Sequence, residues 1–140
     1  MPLKSDRTSY TISSNLKLSM QAKGFDTSVK VGNTYYDGGA AEIHLAIAML
    51  PNGTIRTVAN TATFSDIVSP DDPAFARMWV EDELGVAIAQ IPGVEGSESV
   101  FNSPNWTHTI TYNGLAKTGT DTKKVDAIAK ALKKLIDDLV

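Results

Sequence analysis

Between residues 41 and 65, apolar and polar side chains alternate on both sides of Asn52-Gly53. A period of two marks strands, and Asn-Gly is the preferred pair for a tight type I′ turn, so the segment is predicted to form a β-hairpin. In that register Ile43, Leu45, Ile47 and Met49 share a face with Val58, Ala62 and Phe64. Glu42, His44, Ala46, Ala48, Thr57, Ala59, Thr61 and Thr63 share the other. The larger apolar set is expected to face the core, leaving a small, flat, hydrogen-bonding face outward.

Upstream, Tyr10 and Ile12, then Leu16, Leu18, Met20 and Ala22, alternate with polar residues around Ser13-Ser14-Asn15. The alternation predicts one or two strands closed by Gly24, and Val29 and Val31 predict another short one before Gly32-Asn33. Downstream, Ser69-Pro70-Asp71-Asp72-Pro73 is a helix-start signal, with a capping side chain, proline in the first turn and carboxylates at the positive end of the helix dipole. A helix is expected over about 73–91, ended by Pro92-Gly93, with Arg77 and Glu81 able to pair at i, i+4. Trp106, His108, Ile110 and Tyr112 alternate with Thr107, Thr109 and Thr111 as a further strand. From about 120 to 140, Val125, Ile128, Leu132, Leu135, Ile136 and Leu139 recur at helical spacing with lysines opposite. That stripe must dock on this chain's sheet or on a partner's, and these six residues are candidates for a subunit interface. The fold class is α+β: an antiparallel sheet of about five to seven strands with two helices, about 73–91 and 120–140, on one face or across a dimer.

A chain of 140 residues with 42% hydrophobic and 21% charged composition fits one domain, 1–140, with one core. It has no cysteine, which excludes disulfides, thiolate metal sites and thiol nucleophiles. Neither a signal-peptide pattern nor an apolar run of membrane-spanning length is present, so no membrane partner is expected. The location is expected to be a virion or the cytoplasm rather than one reached through a signal peptide. The net charge of −3 is unevenly placed. Residues 61–100 hold Asp66, Asp71, Asp72, Glu81, Asp82, Glu83, Glu95 and Glu98 against Arg77 alone, a balance unlike that of a strong nonspecific nucleic-acid binder.

Catalytic patterns are missing. His44 and His108, the two histidines, fall on strands without ligand spacing, and no Gly-x-Ser-x-Gly elbow supplies a nucleophile. Glu81-Asp82-Glu83 cannot converge on one cation, because consecutive helical residues point about 100° apart. Gly38-Gly39 precedes a strand instead of a helix and reads as turn chemistry. The expectation is no enzyme, no metal and no cofactor. The feature with functional content is the small polar face: Thr57, Ala59, Thr61, Thr63, His44 and Ala46, joined by Thr107, Thr109 and Thr111 as a candidate ligand or RNA face.

Arg56-Thr57-Val58-Ala59-Asn60, followed by Thr63-Phe64-Ser65, a Ser-Pro loop and a helix, resembles the coat proteins of single-stranded RNA bacteriophages over about 35 residues. The resemblance implies an N-terminal hairpin, an antiparallel sheet and C-terminal helices crossing a dimer partner, in a protein that assembles capsids and binds an RNA hairpin on its sheet face. The expected function is a non-enzymatic, self-assembling structural protein, a phage coat or other virion component, with itself and RNA as partners. A module binding RNA or a small ligand on the sheet face is the alternative, followed by a small enzyme.

Overall fold

The computed structural model describes residues 6–59, 61–67 and 69–139; Asn60 of the Arg56–Asn60 segment and Val140, the last residue of the helix expected over 120–140, lie outside them. The hairpin forms, from β2 (Glu42–Met49) and β3 (Ile55–Ala59), paired antiparallel. Its turn is not the two-residue type I′. Gly53 N–H donates to the Leu50 carbonyl (2.9 Å), which makes Pro51 and Asn52 the central residues, and Asn52 Oδ1 takes the Thr54 N–H (3.2 Å) and hydroxyl (2.8 Å). Proline fixes the φ that the first central position of an ordinary turn requires, and this outweighs the Asn-Gly preference.

In chain order the described elements are α1 (Tyr10–Ala22), β1 (Thr34–Asp37), β2, β3, β4 (Phe64–Ile67), β5 (Phe75–Arg77), α2 (Glu81–Ala89), β6 (Val94–Asn102), β7 (Asn105–Tyr112), β8 (Leu115–Asp121) and α3 (Lys124–Asp137). The α+β class and the antiparallel pairing are as expected. The strands, however, divide into two sheets, β4-β3-β2-β1-β5 and β6-β7-β8. Three expectations change. Residues 10–22 form a helix, whose buried positions Ser13, Leu16, Lys17 and Ser19 recur at helical spacing. Val29 and Val31 lie on no strand; Val29 instead donates its N–H to Pro70 O (2.8 Å). The helix expected from 73 is the strand β5 followed by the shorter α2, and Val80 N–H is capped by the Glu83 carboxylate at 3.0 Å.

Each sheet has its own core. In the five-stranded sheet, Tyr35 of β1 lies against His44 (centroids 5.3 Å, stacked) and Phe75 (5.0 Å), and packs with Val29, Ala46 and Ile55. The hairpin's two faces are therefore inverted relative to expectation. Small side chains at Ala46, Thr57 and Ala59 leave room for the Tyr35 ring, while Phe64 on the opposite face is 65% exposed. In the three-stranded sheet, α3 packs on β7 and β8, and α1 and α2 pack on α3. Leu16, Leu84, Ile88, Ile110, Leu132, Leu135 and Ile136 meet there in the larger core. Among the links between the halves, Thr8 exchanges two hydrogen bonds with the Trp79 backbone, Lys17 Nζ donates to the carbonyls of Asp72 (2.8 Å) and Phe75, and the Tyr10 and Tyr36 rings meet at 4.1 Å.

Candidate functional site

The residues expected to form one ligand or RNA face do not lie together. His44 (5% exposed), Ala46, Thr57 (0%) and Ala59 are interior residues of the five-stranded sheet, closed over by Tyr35, and present no binding face. Thr61 and Thr63 sit in the β3–β4 connection, where the Thr61 hydroxyl lies 3.3 Å from Glu42 Oε2 and 3.2 Å from Thr63 Oγ1. Thr107, Thr109 and Thr111 belong to the other sheet. Cross-strand pairing places Thr107 opposite Thr120 and Thr109 opposite Thr118 on the face turned away from α3. That face carries Glu98 and no lysine or arginine, so a phosphate backbone finds no cation on it.

The C-terminal stripe also differs from expectation. Val125, Ile128, Leu132, Leu135 and Ile136 are buried against this chain's own β7, β8, α1 and α2, and Leu139 packs at the margin of the same core. They are core residues, not a subunit interface.

The histidines occupy different sheets. His44 Nδ1 lies 3.2 Å from Thr57 Oγ1, and its Nε2 is 3.5 Å from Glu42 Oε1. His108 Nδ1 lies 2.6 Å from Ser99 Oγ across the β6–β7 ladder, and its buried Nε2 has no partner. Burial lowers the His108 pKa, the Lys124 ammonium lowers it further, and Glu81 opposes both. A neutral imidazole beside a hydroxyl is half of a nucleophilic dyad, but no carboxylate holds the far nitrogen as a triad requires. Among the described residues no three His, Asp or Glu side chains gather as a metal shell, and no helix is long and apolar enough to cross a membrane.

Two features remain that the pattern of the sequence did not announce. The first is a groove of about 720 Å³ between α1, α2, α3 and the end of β7, floored by Met20, Ile91, Leu132 and Ile136 and rimmed by Arg77, Trp79 and Glu83. The Arg77 guanidinium lies 3.8 Å from the Trp79 ring centroid and donates to Glu83 Oε2 at 3.0 Å. Glu83 also faces Arg7 at 3.7 Å, so two cations share one carboxylate. The i, i+2 spacing of Phe75, Arg77 and Trp79 was the available signal for this strand, masked by the helix-start pattern before it. The expected Arg77–Glu81 pair is replaced by Arg77–Glu83, and Glu81 pairs with Lys124 at 3.1 Å.

The second feature is β6. It is an edge strand of nine residues, exposed along most of its length, with Val100 53% and Phe101 52% exposed. A register shift between Val94 and Gly96 marks a bulge at its start; from Gly96 to Asn102 the ladder to β7 is continuous. No family model matches this chain, and no curated protein or solved structure matches it.

Proposed function

We propose that this protein is a non-enzymatic structural protein that self-associates through the free edge of β6, with a coat-like shell built from such dimers as its larger form. The observation that carries the proposal is the edge itself. An unpaired strand presents a row of backbone donors and acceptors, and folded proteins ordinarily blunt such a row with lysine, proline, a bulge or a covering element. Over Gly96–Asn102 the strand has no lysine, proline or bulge, and Glu98 is its one charge.

Antiparallel pairing of two β6 edges would join two three-stranded sheets into one of six strands, with each α3 on one side and the threonines on the other. Val100 and Phe101 would add apolar contact. RNA has no place in the proposal, because the threonine face holds no cation. Native mass spectrometry and light scattering provide the test. The wild type should give dimers and larger species, and Val100→Lys with Phe101→Lys should shift the population to monomer at an unchanged unfolding midpoint. A wild type that stays monomeric at millimolar concentration would defeat the proposal.

A further inference from the structure

We propose that the groove between α1, α2 and α3 binds a small amphiphilic carboxylate, with its alkyl chain along the apolar floor and its head group on Arg77. The groove's volume of about 720 Å³ falls in the range of small-molecule sites. Its floor is flexible and aliphatic where Met20, Ile91, Leu132 and Ile136 line it, which suits an alkyl chain better than a flat polar ring.

The head group follows from the charge at the rim. Glu83 on the groove's lining is shared by Arg77 (3.0 Å), also on the lining, and by Arg7 (3.7 Å) behind it, and its Oε1 already accepts the Val80 N–H (3.0 Å), so the three-residue cluster, though not the lining pair alone, carries one positive charge in excess. The Arg77 side chain is 30% exposed; Glu83 engages its Nη2 and Trp79 stacks on the guanidinium, while Nη1 makes no hydrogen bond among the described residues. A fixed guanidinium with a spare donor above an apolar floor matches a carboxylate followed by a chain. The groove opens where Val94 pairs with Tyr112, whereas Phe101 pairs with Trp106 at the far end of the same ladder, so this site and the proposed assembly edge are separate.

The test uses decanoate and decanol, which share a chain and differ in the head. Trp106→Phe leaves Trp79 as the one tryptophan, and its emission together with calorimetry reports binding. Decanoate should bind saturably, one per chain, and decanol about tenfold more weakly, the scale of one charge-assisted hydrogen bond. Arg77→Met should weaken decanoate about tenfold and leave decanol unchanged. Since Arg77 also braces Glu83, a second variant is needed: Val86→Glu, at an exposed position on the groove wall, should weaken decanoate with the unfolding midpoint unchanged. No saturable decanoate binding to the wild type, or equal affinity for acid and alcohol, overturns the proposal. So does a Val86→Glu variant that lowers oligomer mass while the wild type takes up no decanoate, since the occupant is then a second copy. None of these readings depends on whether β6 pairs.

Discussion

At Gly119, opposite His108 in the β7–β8 ladder, a Cβ would stand 2.4 Å from both the Ala127 carbonyl oxygen and the Ala131 nitrogen. The strand and α3 approach backbone to backbone there, so the side chain must be hydrogen. Gly119→Ala forces the helix outward, and urea unfolding should show a loss of about 1–3 kcal/mol, the usual range for overpacking. His108 across from it gives a prediction in pH. Burial first, and the Lys124 charge second, lower its pKa, so the unfolded chain takes up the proton before the folded one as the solution is acidified. Stability from this residue is complete above the ordinary histidine value of about 6.5 and is lost as pH falls through that value toward the folded pKa. His108→Gln cannot titrate. Its melting temperature should change less than the wild type's between about pH 7 and pH 5, and parallel curves would refute the assignment.

At the scale of elements, α3 was the most legible part of the chain, because Val125, Ile128, Leu132, Leu135 and Ile136 keep one stripe apolar against lysines opposite. What that stripe covers could not be read, since an apolar face is the same whether it meets its own sheet or a partner's. With the stripe in the core, Leu132→Ala should cost about 2–5 kcal/mol and leave the subunit composition of the folded fraction unchanged, measured by chemical unfolding and native mass spectrometry. An interface residue would show the reverse. The first helix was hidden for a different reason. Its inward positions include Ser13 and Lys17, whose polar atoms are satisfied by Thr8 and by the carbonyls of Asp72 and Phe75, while Leu18 points to solvent. A helical stripe built partly from polar residues leaves an apolar pattern that alternates by accident. In the hairpin, period two fixed which residues share a face, but residue size misassigned the buried one. The small face is inside because the Tyr35 ring fills the space above it, and that ring arrives from another strand. The Arg77–Trp79–Glu83 cluster was illegible for the same reason: it unites a strand end and a helix start whose meeting is tertiary.

For the whole molecule, the distribution of charge separates assembly through β6 from assembly around a nucleic acid. Two β6 edges paired about a two-fold axis bring the Glu98 carboxylates of both copies near that axis, on a protein whose net charge is already −3. Like charges there oppose association at about 0.01 M salt, where the Debye length is about 30 Å, and are screened at about 1 M, where it is about 3 Å. The backbone hydrogen bonds and the Val100 and Phe101 contacts do not weaken in the same way. The dimer fraction measured by sedimentation velocity should therefore rise with salt. Glu98→Gln should give more dimer at low salt and remove most of the dependence. Binding held together by phosphate contacts runs in the opposite direction, because added salt suppresses counterion release. A dimer fraction that falls as salt is added would rule out the β6 edge as the assembly surface and return attention to the cationic groups elsewhere on the chain.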